Sequence, residues 1–391
     1  MKKSKIFLRT FGCQMNIRDS EVINGLLQNA GYQITDNDQD ADVVIFNTCS
    51  VRQHAEERIW SLIGSYKGSK IIGLVGCMAQ NYKEKSFDRD ESIGFIVGPQ
   101  DIAKIPEIIK KIVAGNKKNK QSLKEGSSPF LFERKFWETD GTSRSEDLYH
   151  QGFYQDKHHA YVVISEGCSN FCSYCVVPYV RGPLRHRGSK NILAEIQEAI
   201  SKGVTRITLL GQNVNAYQDN SFNFTQLLEK VNVLNGLKSF DFFTSHPKDA
   251  GLDSFKAMRD LEKLAKSLHL PLQSGSDRIL KLMNRGYSAK EYLVLIDSYR
   301  KIVKDGLLTT DIILGFPTET EKEFKETYDL TKKAEFNAAF IFKYSPRPYT
   351  LAAKMFDDLK QEVKERRHKK LLDLQRSVSN KLDRKRENEN K

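Results

Sequence analysis

Two sets of three cysteines account for all six in this 391-residue chain. Cys168, Cys172 and Cys175 stand four and three residues apart, directly after the apolar-rich run 160–164. A strand that ends in such a loop presents three thiolates close enough together to share one small inorganic cluster. The number three is informative. A closed structural zinc site takes four ligands, and ferredoxin clusters are likewise held by four cysteines. Three thiolates on a four-iron cluster leave one iron open to bind something else.

Cys13, Cys49 and Cys77 are 36 and 28 residues apart, so only the fold can bring them together. Predicted strands at 5–11, 42–47, 70–76 and 92–97 alternate with predicted helices such as 19–30, 54–66 and 102–113. That alternation makes a parallel sheet with helices on its faces. Each of the three cysteines follows the C-terminal end of one strand, and in a parallel α/β sheet those ends share the edge where ligands bind. Gly12 and Gly76, each directly before a cysteine, let the backbone approach a bulky ligand. One cysteine in such a place reads as a small buried hydrophobe. Three at equivalent places read as a second cluster site. Asn16 and Asn47 flank it, as outer contacts to the site or as turn and cap residues.

Two α/β domains must position these loops. The parallel-sheet domain covers 1–113, and 114–157 reads as a polar inter-domain linker whose Phe130, Phe132, Phe136 and Trp137 could tack it onto a domain surface. From 158 to 348 come strands at 160–164, 206–210, 239–244, 268–272, 308–314 and 338–342, with a polar or Gly/Pro motif after each. This suits an open, partial (βα)6 TIM-like barrel whose active face is its C-terminal rim. Residues 349–391 read as a basic helical tail, either holding RNA electrostatically or solvated and fraying.

Hydrophobic residues make up 39% and charged residues 29%, as in soluble globular proteins. No apolar run approaches the ~20 residues that span a bilayer. Arg9 interrupts the short apolar run behind the first lysines, so no secretory segment is expected and the cytoplasm is the expected location. Cysteines there point to metal or catalysis rather than disulfides. The net charge of +12 favours a polyanionic partner, against the plainer reading of a generally basic protein. Arg181, Arg185, His186 and Arg187, just after the second cysteine loop, are candidates for holding RNA phosphates or form a solvated basic turn.

Cys168-Ser-Asn-Phe-Cys-Ser-Tyr-Cys175, with an aromatic before its last cysteine, resembles the radical S-adenosylmethionine (SAM) enzymes. Val176-Val-Pro-Tyr-Val-Arg-Gly182 narrows the resemblance to the methylthiotransferases. Thr10-Phe-Gly-Cys-Gln-Met-Asn16, Asn47-Thr-Cys-Ser-Val-Arg52 and Gly76-Cys-Met-Ala79 resemble their N-terminal domain. Gly211-Gln-Asn-Val-Asn215 resembles the branch acting on isopentenyladenosine in tRNA, and Leu270–Gly275, Asn284–Tyr287 and Asp311–Pro317 also match the family.

The resemblance implies two [4Fe–4S] clusters, one per triad, with SAM on the open iron of the Cys168/Cys172/Cys175 cluster. It implies a SAM pocket and rim lined by Tyr174, Pro178, Gln212, Asn213, Ser245, Gln273 and Asp311. One-electron cleavage of SAM would give a 5′-deoxyadenosyl radical that takes hydrogen from C2 of adenine. The Cys13/Cys49/Cys77 cluster would present a methylated sulfur. Such chemistry belongs to the cofactors and explains why acid–base residues are inconspicuous. The target base must be exposed, as in an anticodon loop. A flavodoxin- or ferredoxin-like electron donor and a monomer are also expected.

Two departures accompany the resemblance. Tyr349 and Leu351 stand where the family has glycine and proline, and the basic tail stands where the family usually continues into an RNA-binding β-barrel, the TRAM domain. Three alternatives remain beside the main reading: the same chemistry on threonylcarbamoyladenosine in tRNA, the same chemistry on a ribosomal protein, or a catalytically silent iron–sulfur RNA-binding protein. Residues 212–215 speak against the first and intact triads against the last. Iron content separates all of these from a zinc protein, since two four-iron clusters predict about eight iron atoms per chain.

Overall fold

The computed structural model describes residues 4–50, 53–66, 70–90, 92–120, 135–151 and 154–389. The chain divides into two compact units, one made of Met1–Val163 with Val177–Pro183 and the other of Ile164–Val176 with Leu184–Lys391.

In the first unit, β1 (Lys5–Phe11), α1 (Gln14–Asn29), β2 (Gln33–Ile34), β3 (Val43–Thr48), α2 (Gln53–Ser65) and β4 (Ile71–Gly76) come first. They are followed by α3 (Cys77–Tyr82), α4 (Ser86–Arg89), β5 (Ile93–Val97), α5 (Ile105–Lys120), β6 (Phe136–Glu138), β7 (His159–Val163) and, after the second cysteine loop, α6 (Val177–Arg181). The sheet order is β2-β1-β3-β4-β5-β6, and every pairing is parallel. β3, β4 and β5 are buried along their whole length, as expected of a sheet covered on both faces. Side chains alternate across the strands. Val44, Phe46, Ile72 and Leu74 therefore pack with Ile59 and Ile63 of α2, Met78 of α3 and Phe87 of α4. On the other face lie α1 and α5, which pack together.

Two expectations change here. α1 begins at Gln14 rather than 19, because the polar residues that break its apolar pattern, Asn16, Arg18 and Asp19, are themselves buried. The stretch 114–157 is not a simple linker: α5 runs to Lys120, and Phe136–Glu138 adds the sixth strand beside β5. Phe130 and Phe132 lie outside the described residues.

The second unit contains the antiparallel pair β8 (Ser165–Glu166) and β9 (Arg185–His186), then α7 (Ser189–Ser201), β10 (Arg206–Leu210), α8 (Phe224–Asn232), β11 (Ser239–Phe243) and α9 (Leu252–Asp260). It continues with β12 (Ser267–His269), α10 (Asp277–Leu282), α11 (Ala289–Ile302), β13 (Leu307–Leu314), α12 (Glu321–Ala334), β14 (Ala338–Lys343) and α13 (Gln361–Glu389). β10 pairs with β11, and β12 with β13 and β13 with β14, all parallel. A parallel bridge from Phe240 to Leu264 joins the two sets, and Ile164, just past β7, donates to Leu210 O at 2.9 Å. The strand–helix order and the open wall are those of the expected partial barrel. Capping boxes at Asn223/Gln226, Ser288/Glu291 and Thr320/Glu323 start α8, α11 and α12. On β13, Leu308, Thr310, Ile312 and Leu314 are buried, whereas Thr309, Asp311 and Ile313 stay half-exposed on the opposite, inner face.

The tail is not a fraying helix. Arg367, Leu371, Gln375 and Val378 of α13 are buried at helical spacing, and Gln375 Nε2 donates to Phe336 O at 2.7 Å. Arg367 pairs with Glu319 at 2.7 Å and Lys364 with Asp357 at 2.5 Å, so part of its basic charge is neutralised within the unit.

Candidate active site

Three neighbouring strands of the first sheet end in step. Phe11 of β1 faces Thr48 of β3, and Thr48 faces Gly76 of β4. Cys49 and Cys77 are the next residues after that row, and Cys13 is the second after it. Adjacent strands lie about 4.8 Å apart, so all three emerge from one short length of sheet edge. Cys49 N donates to Phe11 O at 2.8 Å, extending the row past β3. Gly76 has φ +90°, and a Cβ there would stand 2.5 Å from Asn47 Oδ1 and 2.8 Å from Thr48 O.

Around these thiols runs a network of polar contacts. The Cys49 thiol, helped by the charge of Arg181 and the N–H groups of Asn16 and Met15, holds the Cys13 thiol below its ordinary range against the opposing effect of burial. Burial pushes the Cys77 thiol up, with Arg181 opposing. Asn16 Nδ2 donates to Asn47 Oδ1 at 3.0 Å, and Asn47 Nδ2 returns a bond to Asn16 O at 2.8 Å. Ser50 Oγ donates to Glu56 Oε1 at 2.5 Å, and Asn81 Nδ2 donates to Ser50 Oγ at 2.9 Å, which ties the residue next to Cys49 to α2 and α3. Arg181 Nε donates to Cys77 Sγ at 3.3 Å while its Nη2 meets Asp19 Oδ2 at 2.7 Å. Arg144 Nη2 binds the other oxygen of Asp19, also at 2.7 Å.

Among the described residues, no three Cys, His, Asp or Glu side chains stand at the spacing of a single bound metal ion. A four-iron cluster is larger than an ion and takes its thiolates on different irons. Three thiols spread along a sheet edge, with no ion-sized grouping among the described residues, fit the wider spacing of such a cluster.

Within the second unit the loop 167–175 is fixed from outside. Asn284 Nδ2 donates to Asn170 O and Phe171 O, both at 3.1 Å. Ser173 N donates to Met283 O at 3.0 Å and Ala352 N to Ser173 O at 2.8 Å. The buried Arg285 places Nη1 3.2 Å from Cys172 Sγ, Nη2 3.1 Å from Pro271 O and Nε 3.0 Å from Tyr287 Oη. Tyr174 packs against Ile279, Met283, Phe316 and Tyr344, and burial keeps its hydroxyl protonated far above the usual range. Cys172 is buried, whereas Cys168 and Cys175 are half-buried and accessible.

The strand ends nearby hold polar atoms that the protein does not satisfy. After β10 these are Gln212 Oε1, Asn213 Oδ1 and both amide atoms of Asn215. After β11 they are Ser245 Oγ and His246 Nε2, and after β12 Gln273 Oε1. A buried polar group left unpaired costs about 1–3 kcal/mol. Their grouping at the C-terminal ends of successive barrel strands fits a polar ligand such as SAM. Asp311 is half-exposed and accepts from His269 Nε2 at 3.3 Å. Pro178 lies in α6 of the first unit rather than at a strand end of the second.

Residues 162–331 match the Radical SAM superfamily, and residues 5–98 match an uncharacterized protein family, UPF0004. The chain is 41% identical over 389 residues to a tRNA-2-methylthio-N(6)-dimethylallyladenosine synthase of Caldicellulosiruptor saccharolyticus, covering 97% of this chain and 79% of that protein. The chain belongs to this synthase family. A synthase of the same name from Hydrogenobaculum sp. is 39% identical over 385 residues, 97% of this chain and 85% of its relative. As a radical SAM enzyme, a member of the synthase family works with an iron–sulfur cluster and SAM. TsrM, a radical SAM methyltransferase from Kitasatospora setae solved with cobalamin and a [4Fe–4S] cluster, superposes with TM-score 0.57 over 90% of this chain and 74% of its own. At 13% identity that likeness concerns the fold alone.

Two of the three arginines expected on RNA phosphates are committed elsewhere. Arg181 is buried on Asp19 and Cys77, and Arg187 is buried with Nη1 2.6 Å from Glu195 Oε2. A guanidinium buried inside the protein on a carboxylate is out of reach of a backbone phosphate. Arg185 is half-buried, 3.5 Å from Glu166, and His186 stands edge-on to the ring of Tyr217. Asp19, Glu56 and Arg144 were not singled out in the sequence. Their only local signal is a charge in a predicted helix or linker, which ordinarily means a solvated face.

Proposed function

We propose that the chain adds a methylthio group to C2 of N6-isopentenyladenosine beside the anticodon of tRNA, with a [4Fe–4S] cluster on each cysteine triad. The observation that carries this reading is the register that sets Cys13, Cys49 and Cys77 on one sheet edge. Sulfur insertion needs such a second site besides the radical SAM loop. When bound, the cluster on Cys168, Cys172 and Cys175 supplies the electron that cleaves SAM. The chain's own residues hold and orient. Gln212, Asn213, Ser245 and Gln273 offer SAM the polar partners they lack within the protein, Tyr174 walls the loop, and Arg285 fixes Cys172. Asp311, on the half-exposed face of β13, completes the rim on which SAM would sit. The electron comes from an external flavodoxin- or ferredoxin-like donor. Among the described residues no helix is long and apolar enough to cross a membrane, and the enzyme acts as a cytoplasmic monomer.

Mass spectrometry of tRNA nucleosides from cells with and without the gene tests the proposal. Loss of 2-methylthio-isopentenyladenosine, with the unthiolated nucleoside accumulating, is the expected result. Unchanged nucleosides overturn it.

A further inference from the structure

Arg181 belongs by sequence to the second cysteine loop, six residues after Cys175, yet it is built into the first unit. Its side chain is buried, and two of its N–H edges are directed. Nη2 is held on Asp19 Oδ2 at 2.7 Å, and Nε points at Cys77 Sγ at 3.3 Å. Asp19 is itself clamped from the other side by Arg144 at 2.7 Å. Gln100 Nε2 reaches the backbone carbonyl of Arg181 at 3.4 Å. A guanidinium restrained this way cannot turn from the sulfur without breaking a buried ion pair. Packing alone does not demand it, since a buried charge is stable only where its partners are fixed. Hydrogen bonds to cluster sulfurs and nearby charge are among the levers that set a cluster's reduction potential.

We infer that Arg181 is a positioning residue for the Cys13/Cys49/Cys77 site: through its N–H to Cys77 it raises the reduction potential of the cluster held there and so keeps that cluster readily reducible. The inference rests on the proposed second cluster. A one-electron reduction adds negative charge to the cluster and its thiolates, and the fixed guanidinium stabilises that added charge without itself gaining or losing a proton. A surface arginine is free to swing out into solvent, whereas here Nε and Nη2 are both engaged by groups of the same unit.

The test uses the full chain with Cys168, Cys172 and Cys175 all changed to Ala, reconstituted with iron and sulfide, so that only the first site is loaded. Iron is counted, and the reduction midpoint is followed by electron paramagnetic resonance during titration with dithionite. With Arg181 intact, about four iron atoms per chain are expected. Arg181→Met is expected to shift the midpoint to more negative potential. Arg181→Lys, which can keep the ion pair with Asp19 but cannot serve Asp19 and Cys77 together, is expected to keep the iron and show a smaller shift of the same sign. An unchanged midpoint in Arg181→Lys and in any iron-loaded Arg181→Met overturns the inference, as does loss of iron with no shift in what remains, the mark of a purely structural role. Absence of iron in the parent with Arg181 intact overturns the second-cluster reading and the inference with it.

Discussion

Arg285 holds Nη1 3.2 Å from Cys172 Sγ and Nη2 3.1 Å from Pro271 O, so one buried guanidinium ties the radical SAM loop to the end of β12. Outer partners of metal ligands typically change affinity or activity about 10–100-fold when removed. Arg285→Met is therefore expected to lower reductive SAM cleavage about 10- to 100-fold, read as 5′-deoxyadenosine formed with dithionite. Arg285→Lys recovers only part, because a point charge cannot hold both partners in the plane of the fork. Full activity in the Met variant would remove Arg285 from the site.

The triads divide the labour. Cys172→Ala is expected to abolish both SAM cleavage and methylthio product. Cys49→Ala is expected to keep a measurable part of the SAM cleavage while forming no methylthiolated nucleoside. Equal loss of both activities in Cys49→Ala would sink the division.

Gly76→Ala sets a Cβ against Asn47 Oδ1 and Thr48 O at a backbone angle that suits glycine. The strain, on the order of 1–3 kcal/mol, falls on the residue before Cys77. Iron in the reconstituted enzyme is expected to drop from about eight to about four atoms per chain, with SAM cleavage retained. An undiminished iron content in the variant would show that the turn tolerates a side chain.

Arg187→Ala breaks a buried ion pair with Glu195 and leaves a carboxylate uncompensated. A loss of about 3–5 kcal/mol is expected in urea unfolding. Affinity for tRNA in the fraction that stays folded should be unaltered, measured by gel shift across salt concentrations. A flatter salt dependence would restore Arg187 as a phosphate contact.

His246 gives the fold a pH limit. Burial, reinforced by Arg285 and Lys248, depresses its imidazole to about 3, and Lys248 N donates to Nδ1, which requires that nitrogen to be unprotonated. In the unfolded chain the ring takes its proton near its ordinary value of 6.5. The unfolded state therefore binds the extra proton as pH falls from about 6.5 towards 3, and stability present above 6.5 is lost across that window, about 2 kcal/mol by pH 5. His246→Asn should lose less stability than the parent between about pH 7.5 and pH 5. Identical pH profiles would contradict the assignment.

How far the sequence shows all this depends on how local each signal is. The cysteine loop is a contiguous string, and β3 and β4 are unbroken apolar runs, so both triads and the strands beneath them could be read directly. Strand spacing shows the barrel wall. What was not legible depends on partners far away in sequence. Phe136–Glu138 is too short to stand out as a strand, and only the edge of β5 makes it one. Arg181 and Arg187 are basic residues in a basic turn. Nothing near them in sequence says that Asp19, far upstream, or Glu195, on the next helix, claims them. The amides at 212–215 match a motif, but only burial shows which of their atoms lack partners within the protein.

Because Val177–Pro183 belongs to the first unit while the stretches on either side belong to the second, neither unit is a continuous length of chain. During translation the sheet around Cys13, Cys49 and Cys77 leaves the ribosome well before Arg181 does. Asp19 then has Arg144 but not its second guanidinium, and Cys77 lacks its hydrogen-bond donor. The first cysteine site reaches its full set of hydrogen bonds only after the second cysteine loop has been synthesised. An order of contacts is thus written into the path of the backbone, and a fragment cut at Val163 would hold all three cysteines of the first site without the guanidinium that faces Cys77.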